Sequence, residues 1–225
     1  MFVKYAARIM PFLVIGVVLV TSVAAAPEGF QIARLKYGGG GDWYSNPTSL
    51  PNLAKALKAR TSIRVVSTKE ARVELLDEDL YAYPLLYMNG HGEVRLSQAE
   101  VERLREYLNR GGFLWGDDNY GMDRAFRREM AKVFPGAQFV ELPFSHHVFH
   151  AFYDLPKGPP KIHEHDGKPP QALGIFQGGR LVVLYTYESD IGDGLEDSKV
   201  HKNPEAVREE ALRFGINVVV YAMTH

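Results

Sequence analysis

The chain has 225 residues, 46% of them hydrophobic and 24% charged, with a formal net charge of −1 and no cysteine. Such a composition belongs to a globular protein long enough to bury a sizeable core. The near-neutral balance, with no basic stretch, gives a nucleic-acid partner no electrostatic footing. The missing thiol removes cysteine nucleophiles, thiolate metal sites and disulfides.

Residues 1–26 read differently from the rest. Lys4 and Arg8 precede an apolar run from Ile9 to Val20, and Ser22 to Ala26 are small. This is the three-part pattern of a secretory signal peptide. The run is short for a membrane span of about 20 residues. The expectation is therefore export, with Ala24 or Ala25 as the last signal residue. Membrane contact is expected only if the segment stays uncut. Residues 27–225 are then a single α/β domain.

Phe30–Tyr37 alternates apolar and polar residues and predicts the first strand. Gly38 to Gly41, followed by Asp42 and Trp43, is a flexible turn that either rims a crevice or simply packs. It is not a phosphate-binding loop, because no Gly-Lys-Ser/Thr follows. Trp43 and Tyr44 are candidates for an aromatic wall. Asn46-Pro47-Thr48-Ser49 caps a helix through Leu53, Ala56 and Leu57. Ile63–Val66 is a short β-branched strand, and residues 67–83 read as a loop with some helix.

Pro84–Met88 is a buried strand ending in Asn89-Gly90-His91-Gly92. Ser97 and Glu100 form a capping box for a helix whose Val101, Leu104 and Leu108 share one face. Gly111 and Gly112 end that helix, Phe113–Trp115 is the next strand, and Asp117, Asp118 and Asn119 follow. This strand–helix–strand order is a βαβ unit. Tyr120–Phe134 is an amphipathic helix, Phe139–Leu142 a short strand, and the histidine-rich, proline-rich segment 143–170 an excursion over the crevice. Ala172–Phe176 and Leu181–Tyr187 make a hairpin around Gly178-Gly179. The acidic run 188–197 reads as a solvated turn. It lacks the residue order of an EF-hand calcium loop. Asn203-Pro204 opens the last helix, which reaches about Met223.

In a doubly wound parallel sheet, ligands bind beyond the carboxyl ends of the strands. The loops holding Gly38–Asp42, Asn89–Gly92 and Asp117–Asn119 then lie side by side, which brings His91 near Asp117 or Asp118. These three are the candidate catalytic residues. Gly40, Asp42, Trp43, Asn89, Asn119, His146, His147 and His150 are the candidate ligand-binding residues. One of the two aspartates is expected to cap the next helix, and the other, pointing the opposite way, is left for function. His146 with His150, at helical spacing, and His163 with His165, at strand spacing, are either polar loop histidines that hydrogen-bond or face water, or ligands of zinc, manganese or iron. No HExxH or GxSxG motif is present. No cofactor is specified.

The stretches LYMNGHG, LSQAEVERLREYLNRGGFLWGDDNYG, LPFSHHVFHAFYDLP and GIFQGGRLVVLYTYESDIGDG resemble the bacterial family termed domain of unknown function 4159, over residues 30–223. The resemblance implies a flavodoxin-like three-layer α/β sandwich with a mostly parallel sheet, similar to class I glutamine amidotransferases and trehalose-utilisation-type proteins. In true amidotransferases a cysteine occupies the turn where this chain has Gly116-Asp117-Asp118. Glutamine hydrolysis through a thioester is therefore closed to it. Two functions follow. One is an exported ligand-binding or scaffold module, periplasmic or secreted, whose ligand is a small molecule or a protein. The other is a hydrolase acting on carbohydrate or a peptide-like substrate through Asp/His acid–base chemistry, with or without a metal.

Overall fold

Phe30, Ile32 and Arg34 share one parity of the first strand, and Ala33, Leu35 and Tyr37 share the other. All six are buried. A strand buried on both faces needs a layer of helices on each side. The computed structural model, which describes Met1 and residues 29–225, has that arrangement. The expected signal segment falls almost entirely outside the described residues. No helix among those described is long and apolar enough to cross a membrane.

Seven strands form one sheet in the order β2-β1-β3-β4-β7-β6-β5: β1 (Ala33–Leu35), β2 (Ala71–Val73), β3 (Leu85–Gly90), β4 (Phe113–Asp118), β5 (Val140–Glu141), β6 (Gln171–Gln177) and β7 (Arg180–Tyr187). The first five in that order pair in parallel, and β6 and β5 extend the sheet antiparallel beyond β7. The parallel part is doubly wound, with its order reversing between β1 and β3.

Among the described residues there are six α-helices: α1 (Ser49–Arg60), α2 (Gln98–Asn109), α3 (Asp123–Val133), α4 (Ile191–Leu195), the exposed single turn α5 (Ser198–His201) and α6 (Glu205–Thr224). One core joins α2 and α3 to the face carrying Leu86, Met88 and Leu114. The other joins α1, α4 and α6 to the face carrying Leu85, Tyr87, Phe113 and Trp115.

Local chemistry accounts for most boundaries. Ser97 Oγ accepts from Glu100 N while Glu100 Oε2 accepts from Ser97 N, the reciprocal capping box expected from sequence. Gly178 and Gly179 take φ of 57° and 84°, the conformations a two-residue hairpin turn needs. Three expectations are corrected. The pairing strand beside β1 is Ala71–Val73, and Ile63–Val66 contributes one isolated bridge, Phe30 with Val65. Residues 67–70 lie between these two stretches and set Glu70 beside Arg34. Strand β4 runs through Asp117 and Asp118 and does not stop at Trp115. Thr48 makes no side-chain cap on α1; its N–H and hydroxyl donate to Glu196.

Candidate functional site

Because Asp117 and Asp118 are consecutive strand residues, their side chains leave opposite faces of the sheet. Asp117 is fully buried. Its Oδ2 accepts from the Tyr87 hydroxyl at 3.0 Å and Gly192 N at 2.7 Å; its Oδ1 accepts from Thr186 at 2.5 Å and Ile191 N at 3.3 Å. It holds the first turn of α4. Burial pushes its carboxyl up to about 7, nearby Asp190 adds to that, and the hydrogen bonds pull the other way.

Asp118 serves the other face. Its Oδ1 accepts from Tyr120 N at 3.1 Å and Met122 N at 2.9 Å, at the start of α3. Burial raises its carboxyl to about 6 against these two N–H bonds. Both carboxylates therefore organise helix starts, and the expectation that one is structurally idle is corrected. Asp118 alone lines a cleft of about 250 Å³, with Tyr120, Gly121, Asp123, Arg124, Asp166, Tyr187 and Glu188. Its two hydrogen bonds fall on Oδ1, which leaves Oδ2 as the atom that can serve the cleft.

Tyr120 holds φ of +96°, a conformation costly for a residue with a side chain. Its ring stacks on His165 at 4.8 Å, its hydroxyl bonds Asp166 at 3.1 Å, and half of the residue stays exposed. Glu188 and Asp190 also sit at positive φ, 56° and 60°. Three side-chain-bearing residues are thus held in left-handed backbone around one crevice.

Beneath the crevice runs a buried polar network. Arg34 is completely buried and pairs with Glu70 at 2.8 Å. It also donates to the carbonyls of Ser45 and Asn46 and to Asn89 Oδ1. Asn89 passes the chain of bonds to Asn119 at 2.9 Å, and Asn119 donates to Asp190 at 2.6 Å and Asp193 at 3.2 Å. The acidic run is therefore no solvated turn: Glu188, Ser189, Asp190 and Glu196 are buried.

Three histidines meet this acidic pair. His163 Nδ1 lies 3.1 Å from Asp190 Oδ2 and 2.8 Å from Asp193 Oδ2. His201 Nδ1 lies 3.2 Å from Asp193 Oδ2, and His165 Nε2 lies 3.3 Å from Asp190 Oδ2. The bond to Asp190 raises His163 to about 9. Burial, and then the Asp190 charge, raise Asp193.

The other candidate residues go elsewhere. His91 is exposed; its backbone N–H donates to Asp42 Oδ1 at 2.5 Å, and its ring Nδ1 lies 2.9 Å from Asp42 Oδ2. Its polar partner is thus Asp42, not Asp117 or Asp118. Gly39 and Gly41 lie so close to the 91–95 loop that a Cβ would meet backbone atoms at 2.7 and 2.5 Å, whereas Gly40 faces open space. Trp43 packs under Arg72, at 5.8 Å, and against Tyr44, outside the cleft.

His146 packs on Phe176 and Tyr221, and His147 on His225. Tyr221 in turn meets Phe113, the first residue of β4. These two histidines therefore sit at the amino end of the strands. The six residues of β4, at about 3.3 Å each, put that end on the order of 16 Å from Asp118. His150 bonds Asp154 at 2.6 Å and the Phe144 carbonyl at 2.8 Å, within its own segment.

The expectation that the 143–170 excursion carries its histidines over the carboxylates is thus corrected for the first half and holds for the second. Residues 161–166 do reach the crevice, where Ile162 N bonds Ser189 O at 2.9 Å and Lys161 pairs with Glu188 at 2.9 Å.

Sequence reasoning missed Arg34, Glu70, His201 and Asn203 as parts of this end of the molecule. Arg34 carries a readable signal: it shares the interior parity of Phe30 and Ile32. Asn203, expected at the start of the last helix, has its Oδ1 3.1 Å from His163 Nε2 and donates to Asp193 O at 3.3 Å. Nothing local in the sequence marks His201.

A family model described as a domain of unknown function (DUF4159) matches residues 31–223. No curated protein matches the chain.

Proposed function

The chain belongs to the DUF4159 family, and from that premise we propose that it is an exported ligand-binding module with an amidotransferase-like scaffold that lacks the cysteine nucleophile. The doubly wound parallel order supports the scaffold reading. The positive start, apolar run and small residues of positions 1–26 support export. The ligand site is the cleft beside Asp118.

The observation that carries this reading is Tyr120. Backbone strain at a residue persists where the surroundings over-determine it, and it concentrates at ligand sites. Here the strain holds an aromatic ring at the mouth of a cleft that four carboxylates and Arg124 line together with Gly121 and Tyr187. Aromatic faces stack on sugar rings, while carboxylates and a guanidinium satisfy hydroxyl groups, so the ligand class is a neutral carbohydrate. Saturation-transfer NMR with a panel of neutral mono- and disaccharides tests it. Transfer to sugar ring protons that disappears in Tyr120→Ala is expected. No transfer from any sugar overturns the ligand class.

One observation favours the hydrolase reading. Asp118, raised to about 6, lines the cleft with an uncommitted oxygen, and a carboxyl poised near neutrality suits general acid–base work. Asp118→Asn separates the two. A hydrolase releases reducing ends as the wild type and loses that release in the variant while keeping binding, whereas a binding module releases none in either form.

A further inference from the structure

We propose that His163, Asp193 and His201 form a site for one divalent first-row transition metal ion, at the rim of the crevice and independent of the sugar reading. One ligand atom from each residue lies within 4.8 Å of the others. Asp193 Oδ2 is bracketed by His163 Nδ1 at 2.8 Å and His201 Nδ1 at 3.2 Å. Ligands held about 2.1 Å from one ion are separated by about 3.0 Å in an octahedron and about 3.4 Å in a tetrahedron. Both separations from Asp193 therefore match ligands of a common ion, and the two imidazoles lie within 4.8 Å of each other. Two imidazoles and one carboxylate are the donor set of zinc, manganese and ferrous iron sites with open positions.

The surroundings support the ligands as metal sites require. Asn203 Nδ2 donates to Asp193 O, which turns Asn203 Oδ1 toward His163 Nε2. That contact fixes the ring so that Nδ1 faces Asp193, where a metal ion would take the place of the Nδ1 proton. The carboxylate is fixed as well. Asn46 and Asn119 both donate to Asp193 Oδ1, leaving Oδ2 for the imidazole side. The charge that compensates these carboxylates comes from imidazoles. Asp190 Oδ2 lies 3.1 Å from His163 Nδ1, and among the described residues the cationic candidates facing this carboxylate pair are the histidines themselves. His165 supplies a further unsatisfied group: its Nε2 is buried, 3.3 Å from Asp190 Oδ2, and makes no hydrogen bond. A divalent cation on His163, Asp193 and His201 balances the two carboxylates.

The ligands come from three places in the chain, the 161–166 segment, α4 and α5. A bound ion would cross-link them, and it would stabilise the native state by mass action. The experiment is equilibrium dialysis of the chelator-stripped full chain against zinc, manganese or nickel chloride, followed by elemental analysis and thermal melting. We expect close to one equivalent of at least one ion and a rise in Tm with metal. His201→Ala, a partly exposed residue whose loss should not prevent folding, is expected to weaken binding by tenfold or more. Asp193→Asn should do the same, and His147→Ala, at the other end of the sheet, should change nothing. Circular dichroism of the metal-free variants checks that they fold. Absence of stoichiometric binding for all three ions overturns the site. So does binding that survives unchanged in folded His201→Ala, or that is lost equally in His147→Ala.

Discussion

At the scale of single residues, the crevice is dominated by charges that other side chains hold in place. Arg34 is the clearest case, because a fully buried guanidinium is tolerated only when paired and hydrogen-bonded. Removing one partner of such a pair costs about 3–5 kcal/mol. Arg34→Ala is therefore expected to lower unfolding free energy by that order in urea titrations, with β1 and the 43–49 turn affected together. Asp118 behaves differently. Asn preserves an Oδ1 acceptor, so Asp118→Asn should leave Tm nearly unchanged, while Asp118→Ala removes the acceptor for two N–H groups and should cost about 1 kcal/mol or somewhat more.

The shifted carboxyls also fix the pH response. Asp117 and Asp118 stand at about 7 and about 6 against an ordinary 3.8, and His163 at about 9 against 6.5. In each case the folded state binds protons that the unfolded chain has released. Stability from the two aspartates is present at low pH and lost as pH rises from about 4 through 7. Stability from His163 is present below 6.5 and lost through 9. Glu93, bonded to Arg128, and Glu129, held down by Lys132 and Arg128 despite its burial, act oppositely, but only toward and below their ordinary 4.5. Melting followed by circular dichroism should therefore show Tm highest near pH 5 and falling toward pH 9. A flat or rising profile across that interval contradicts these assignments.

At the scale of elements, sequence signals were strongest where one turn of chain contains all the chemistry. The Ser97–Glu100 capping box and the Gly178-Gly179 hairpin were both legible for that reason. Ser97→Ala should cost about 1 kcal/mol in chemical denaturation. The same rule explains the misreadings. Ile63–Val66 is β-branched and looks like a strand, yet the hydrogen bonds beside β1 are shared between two stretches with 67–70 looped out. The end of β4 was placed too early because Gly116 reads as a turn. It lies inside the strand, where a Cβ would meet the Phe126 ring at 2.6 Å, so its role is close packing of α3. The histidine pairs were equally ambiguous. His146 and His147 belong to a short turn under α6, while His163 and His165 both face Asp190.

At the scale of the whole molecule, β3 and β4 are buried at every residue and β7 at six of its eight, whereas both residues of β5 are exposed. Local opening follows such differences. Native-state hydrogen exchange should find the slowest amides in β3, β4 and β7 and the fastest strand amides in β5. The crevice lies at the carboxyl end of that rigid centre, and the groups around it arrive from distant parts of the chain: Asn46 reaches Asp193 across 147 positions.

Periodicity, caps and glycine turns are short-range properties, and they were enough to read an α/β chain with a βαβ unit that puts Asp117 and Asp118 at a strand's carboxyl end, while the mostly parallel sheet was implied by the family resemblance. Which imidazole meets which carboxylate was decided only in three dimensions. That depends on strand parity, on the end of the sheet each connection returns to, and on buried charges finding partners far away along the chain, none of which leaves a local pattern.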